Sequence, residues 1–516
     1  MKVSFLKSGR SGRIAGIGVA IATVLFLCQG VAPAAPPSTT YSVARAIPLP
    51  NGQSVGQLDI SFVDPFARAY FLADDANASL DVIDLNTGTL LQITPKGATA
   101  FAGFPTDPNV PGHNEISGPN GVITVHHSEV WLGDSPTFSG PITKNSNLAT
   151  AYVNDNCNSS AKVVSILDQT VTDVINTGGC FRADELDWDP KDDVVLIANP
   201  SEQNIGKASS VPFITLISSA PVVTGAHHQI LKQIKFDGTN GTPNAVGGVE
   251  QPAYSPLTGM FYISIPQNGP GDTGGNGAVA VVDPVALRVT NVFPLIGCAP
   301  NGAAMGPNYE LYLGCSGPAQ IIDVRNGTQI ASFPQITGCD EVYYNAGDNT
   351  FGGGCASALG IVNNNTNPPS FFQKLPGITH SANADAVSSA VIAPVPATST
   401  FTNCGPLPNK GCIAIFAAGP PITQAILTVA STSTSQQGIL ALGSASSSAS
   451  GGLVYQFAAV PGASGKTAVI GATPFTGEAL VYFTSGPGSY VIQLTVTDGA
   501  GNSASSAPIT INYTGQ

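Results

Sequence analysis

The stretch Phe181–Pro200, FRADELDWDPKDDVVLIANP, opens on a short polar motif, passes through alternating residues to an Asp-Pro turn, and ends in an apolar, β-branched strand. The same grammar returns at 248–266 (GVEQPAYSPLTGMFYISIP), at 299–315 (APNGAAMGPNYELYLGC) and at 338–355 (GCDEVYYNAGDNTFGGGC). Looser copies occupy 57–74, 117–134 and 378–396, which makes seven units at a spacing of 39 to 66 residues. Further strands such as Ser79–Asp84 and Ala278–Asp283 follow several copies, each with a turn and one more strand. Four short strands per unit cannot bury both faces of so small a sheet, so the units must stack around an axis. The expectation is an all-β chain with a seven-bladed β-propeller over 41–416. Tyr41–Pro50 reads as a fourth strand that precedes any first strand. It is expected to complete the last unit and close the ring, which removes an exposed sheet edge.

Composition agrees. The chain has 516 residues with 58 Gly, 41 Pro and only 10% charged residues, against about 25% in an average soluble domain. Coiled coils, long helical bundles and acidic disordered chains need more charge. Lys2, Lys7, Arg10 and Arg13 precede the apolar run Ile14–Leu27 and the small residues Ala32-Pro33-Ala34, the pattern of a signal peptide over 1–35. The run is short for a membrane span, which needs about 20 residues, and an uncleaved anchor is the other reading. Loss of those four charges takes the net charge from −13 to −17, which disfavours nucleic acid or an anionic membrane as partner. No transmembrane helix is expected after cleavage, and the chain is expected to be secreted, periplasmic or in the cell envelope.

Cys157, Cys180, Cys298, Cys315, Cys339, Cys355, Cys404 and Cys412 remain after cleavage. An even count in an exported chain reads as four disulfides, and in-order pairing gives separations that suit neighbouring strands; the spacing does not prove connectivity. Zinc is the rival, without a CxxC pair to support it.

Aligned on the turn and second strand, the seven units share one polar column: Asp59, Asn120, Asp184, Glu250, Asn301, Asp340 and His380. Placed at the entry of the innermost strand, these side chains should ring one mouth of the central channel. A hard divalent cation, calcium foremost, would relieve their mutual repulsion; a water-filled polar ring is the alternative. The following column, Ile60, Gly121, Glu185, Gln251, Gly302, Glu341 and Ser381, is less uniformly polar. His380 and Asp340 are the candidate catalytic groups. In the pairs His126-His127 and His227-His228, neighbouring side chains in a strand point to opposite faces, so neither pair is expected to chelate alone. His227-His228 is expected to mark a turn. No GxSxG elbow, CxxCH haem motif or strand–loop–helix phosphate cradle occurs, so neither haem nor nucleotide is expected.

Glu250-Gln-Pro-Ala-Tyr, with Gly118-Pro-Asn-Gly-Val and Ala299-Pro-Asn-Gly-Ala, resembles the strand motifs of SMP-30/gluconolactonase-like propellers; such motifs also occur in YVTN and NHL repeats. The resemblance implies a divalent cation held by Glu250, Asn301, Asp340, Asn120 and Asp184, and lactone hydrolysis by metal-polarised water. It departs in blade number, since that family is six-bladed, and in placing Glu250 on the fourth unit.

Beyond Ala417–Pro421, which reads as a linker, only Lys466, Glu478 and Asp498 are charged. About seven short strands over 422–516, one of them with Tyr490, Ile492, Leu494 and Val496 on one face, suit an immunoglobulin-like sandwich. Its run Pro487–Asn502, PGSYVIQLTVTDGAGN, resembles the end of a PKD-type domain, which implies a spacer or a weak binder of polysaccharide or protein. Two functions follow: an extracellular protein that binds a small molecule, polysaccharide or protein, or a metal-dependent lactonase-type hydrolase.

Overall fold

The computed structural model describes residues 40–515, apart from 106–112, 137–156, 203–209, 221–226, 447–453 and a number of shorter stretches. The expected signal peptide, the outer part of the linker and the Asp498-Gly turn lie outside the described residues.

Between Tyr41 and Ala418 the described residues form seven four-stranded antiparallel sheets. Six are made of consecutive strands: sheet one starts with Ser61–Asp64, sheet two with Val122–Val125, sheet three with Leu186–Asp189, sheet four with Pro252–Ser255, sheet five with Pro300–Met305 and sheet six with Cys339–Asn345. The seventh runs Asn383–Asp385, Ala390–Val395, Cys412–Ala418 and then Tyr41–Ile47, which pairs Tyr41 with Ala418 and Ile47 with Ile413. The first strand of the described chain therefore clasps the last sheet, as expected. Ala417 and Ala418 belong to that sheet rather than to a linker, because Ser42 and Tyr41 pair with them.

Asp and Asn residues at strand ends shape the turns. Asp64 accepts the backbone N–H of Phe66 and Ala67, and Asp189 those of Lys191 and Asp192. Three further acceptors, Asp283, Asn345 and Asp385, do the same for their own turns. Carboxylate or amide oxygens so placed stabilise the turn locally, which is why Asp-Pro recurs in the sequence.

The apolar faces that no single sheet can bury meet in pairs around the ring. Ile60 and Leu80 of the sheet-one region pack on Val122 and Leu132 of sheet two, Trp131 on Val195 and Ile217, and Leu196 and Leu216 on Phe261 and Ile263. Three equivalent layers join the fourth to the seventh sheet. Ile392 and Ile413 of sheet seven then pack on Tyr70, Leu72 and Ile83 of sheet one. A closed ring of radially packed four-stranded sheets is a β-propeller, and each fully buried Leu or Ile contributes about 1.5–3 kcal/mol to it.

Disulfides join Cys157 to Cys180, Cys298 to Cys315, Cys339 to Cys355 and Cys404 to Cys412, the in-order pairing. They fit an extracellular, oxidising setting. Among the described residues no helix is long and apolar enough to cross a membrane.

The C-terminal residues form two more sheets around one core. Tyr490, Ile492, Leu494 and Val496 are all fully buried in it, as their alternation predicts. Nine short strands occur among the described residues, two more than expected, including the two-residue strand Ser433–Thr434, which runs parallel to Asn512–Tyr513. The Tyr490 hydroxyl donates to the Gly486 carbonyl at 2.6 Å, which satisfies the one polar group of a fully buried side chain. The sandwich touches the propeller at Arg68, which pairs with Asp385 at 2.7 Å and reaches the Ser446 carbonyl at 3.4 Å.

Candidate functional site at the channel mouth

The polar column is repeated in backbone geometry. The N–H groups of Asp59, Asn120, Asp184 and Glu250 donate to Ala73, Gly133, Ala198 and Ser264, the matching residue of each second strand. Ile60, Gln251 and Glu341 then donate to the carbonyls of Asn120, Asn301 and His380 on the next unit round the ring. The glycines of the second column have a cause: a Cβ on Gly121 or Gly302 would lie 2.1 Å from the carbonyl oxygen of Asp184 or Asp340. The inner strands approach too closely there for any side chain.

Five of the seven column side chains interact. His380 bridges two of them, Nε2 to Asp59 and Nδ1 to Asp340, each at 2.7 Å. Asp59 also meets Arg182 Nη1 at 3.2 Å, and Asp184 meets Arg182 Nε at 2.7 Å. Glu250 feels both Arg182 and Asp340. The other two members differ. Asn120 is fully buried, its amide N–H donates to the Ser117 carbonyl, and its Oδ1 has no hydrogen-bond partner. Asn301 offers its backbone carbonyl to Gln251.

Sequence reasoning missed Arg182 and Glu115, whose carboxylate lies 3.8 Å from that guanidinium. It also underrated Glu185 and Glu341, the two acids of the second column. Each is 4% exposed, and Oε2 of each has no hydrogen-bond partner. One carboxylate oxygen from each of Asp184, Glu185 and Glu250 lies within 4.8 Å of the other two. This trio, rather than Glu250 with Asn301 and Asp340, is the compact acid cluster; Asp340 is drawn towards His380.

The excess of acid sets the electrostatics. Burial, followed by the neighbouring carboxylates, raises Asp184, Glu185 and Glu341 well above the usual carboxyl range. Glu250 is pushed up to about 8 by burial and by Asp340 and Glu115, against the pull of Arg182. Burial and Asp59 bring Asp75 to about 7. Burial opposes charge on His380, yet Asp340 and Asp59 outweigh it and hold the imidazole protonated well above its ordinary value. Burial likewise opposes charge on Asp59, and Arg182 and His380 overcome it, so this carboxyl sits low. The cluster thus keeps several protons at neutral pH.

Deeper along the axis the second column ties the sheets together. Gln251 Oε1 accepts from the N–H of Ala303 at 2.8 Å and of Val342 at 3.2 Å, and Ser381 Oγ accepts from Ser61 N–H at 3.0 Å. Past this layer lies a cavity of about 270 Å³ lined by Phe62, Asp187, Tyr254, Met305, Tyr344 and Asn383 among others. Asp189, by contrast, serves its turn, as its Asp-Pro context implies.

No protein-family model matches the chain, and no curated protein matches it. Solved structures do. One from the mitotic checkpoint complex has 10% identity and a TM-score of 0.46 over 81% of this chain and 98% of its own. The WD40 β-propeller domain of Doa1 has 9% identity and a TM-score of 0.45 over 74% and 98%. An extracellular domain attributed to a hybrid two-component system of B. thetaiotaomicron has 12% identity and a TM-score of 0.47 over 93% and 60%.

Proposed function

We propose that this chain is an extracellular, seven-bladed propeller with a PKD-type sandwich, which binds a ligand at its channel mouth with the help of a hard divalent cation, calcium foremost. The observation that carries this reading is the buried crowding of Asp184, Glu185 and Glu250, one oxygen of each within 4.8 Å of the others, with Glu341 close enough to raise Asp184 and Glu185. Seven carboxyls (Asp59, Glu115, Asp184, Glu185, Glu250, Asp340, Glu341) face two cations, Arg182 and His380. Oxygen-only donors of this kind suit calcium. A bound ion would leave ligand-facing positions on the half-exposed Asp340 and His380. The nearly uncharged sandwich would supply contact with an extracellular polysaccharide or protein.

The second reading, lactone hydrolysis, draws on His380 at the mouth. An imidazole held protonated by two carboxylates can donate a proton but cannot take one, which favours binding over general-base chemistry. Calorimetric titration of the chelator-treated protein with calcium tests the proposal. One equivalent bound by the wild type and lost in Glu250→Gln and Glu185→Gln is expected. Absence of calcium binding to the wild type refutes the cation, and lactone turnover abolished by His380→Gln would move the assignment to the hydrolase.

A further inference from the structure

A second group of ligating side chains lies at the opposite end of the sheets, where Glu129 opens the second strand of sheet two just after the turn that ends the first. Glu129, His227 and His228 each place one ligand atom within 4.8 Å of the others. They come from two separate segments of the chain, and none belongs to the channel mouth. His227 and His228 occupy a turn and not a strand, so the rule that neighbours face opposite ways does not hold for them. His228 has a φ of 55°, and the two rings stack with centroids 3.5 Å apart and planes 28° from parallel.

The hydrogen bonds fix which nitrogen of each ring is available. His227 Nδ1 lies 3.0 Å from the Ala220 carbonyl, which can only accept, so Nδ1 carries the proton. His228 Nδ1 lies 2.6 Å from Asp173 Oδ2 and donates to it. In the neutral rings Nε2 therefore carries the lone pair on both, although Glu129 and Asp173 favour the protonated form of His228. His228 Nε2 faces Glu129 Oε2 at 3.4 Å, and that oxygen also accepts from Trp131 Nε1–H at 3.0 Å. Two acceptors so close need a proton or a metal between them. Zinc bonds of ~2.0–2.1 Å to nitrogen and ~2.0–2.2 Å to oxygen, at tetrahedral angles, put two ligand atoms about 3.3–3.4 Å apart. A carboxylate behind the coordinating imidazole is the usual second support of such sites.

We propose that Glu129, His227 and His228 bind a first-row transition cation of the zinc type, with Asp173 positioning His228 through its Nδ1–H. Two imidazoles and one carboxylate select zinc, cobalt, nickel or copper over calcium and magnesium. Three protein ligands leave a coordination position for water or for a group from another molecule.

The test uses the full chain after chelator treatment, titrated with cobalt(II), whose visible absorption reports nitrogen ligation at a tetrahedral site. One equivalent should give the absorption, with zinc but not calcium displacing it. His227→Ala, at a half-buried turn position, should abolish it, and Asp173→Asn should weaken binding roughly 10–100-fold. Glu250→Gln should leave it unchanged. Absence of a cobalt spectrum in the wild type, retention of it in His227→Ala, or its loss in Glu250→Gln would each overturn the assignment. The last outcome would place the ion at the channel mouth.

Discussion

Lys162 is a buried cation of the propeller and Arg182 a partly buried one, and they sit in opposite kinds of surroundings. Lys162 Nζ meets Asp134 at 2.5 Å, and the same Asp134 accepts the Ala102 N–H, so one charge answers one charge. The Arg68–Asp385 pair follows the same pattern. Arg182 answers Asp59, Asp184, Glu115 and Glu250 together. Balanced pairs hold sheets, turns and sandwich in register. The unbalanced cluster gathers more carboxyls than cations, and the proposed binding role rests on that surplus.

The largest effect should come from Arg182→Met. It strips four carboxyls of their common partner and should cost about 3–5 kcal/mol at neutral pH, as for a broken buried pair, measured by denaturant unfolding. Part of the loss should return on acidification, as the abandoned carboxyls take up protons. A cost below about 1 kcal/mol would mean that the mouth is wetter and less strained than the comparison requires. Next is the double-mutant cycle of Lys162→Met with Asp134→Asn, which should yield a coupling of about 2–3 kcal/mol. The double variant should bind calcium like the wild type.

The pH profile comes third. Glu250 has a folded pKa of about 8, raised from its ordinary 4.5, and Asp75 about 7, raised from 3.8. A carboxyl raised in the folded state binds more protons there than in the unfolded chain, so stability falls as pH rises between the two values. His380 acts in the same direction, since its raised pKa stabilises the folded state fully below its unfolded value and loses that effect on deprotonation. The melting temperature without metal should therefore decline from about pH 5 to pH 8, and calcium should flatten the decline. A profile that rises across this range would contradict the acid surplus. The smallest effect belongs to Arg325→Ala. Its pair with Asp323 is 2.6 Å long but solvent-exposed, so no change in melting is expected.

The repeat carried the fold in plain view, because turn-forming Asp and apolar alternation are local signals that each unit repeats. The clasp by Tyr41–Ile47 was legible for the same reason: VARAIPLPNG parallels the outer-strand sequence VTNVFPLIGC. The column residues were legible as positions, but not their chemistry. Arg182 stands two residues before Asp184 at the head of an acid-rich stretch, Asp184 to Asp193, in a chain of very low charge, and that local crowding was the available clue. Glu115 enters from a single 3-10 turn, His113–Ile116, outside the repeat, so alignment of units could not reach it. The depth of Glu185 and Glu341 depends on how closely neighbouring inner strands approach, which no single unit encodes. The turn at His227-His228 was legible from its place between two apolar runs, but its contact with Glu129, about 100 residues away, was not.

The clasp also has a consequence in time. Tyr41–Ile47 leaves the ribosome before its partner Cys412–Ala418, which follows roughly 370 residues later, on the order of 20 to 75 s at ~5–20 residues per second. Throughout that interval the nascent chain carries an orphan strand with nothing of its own to zip onto. The seventh sheet can close only once Cys412–Ala418 has been made.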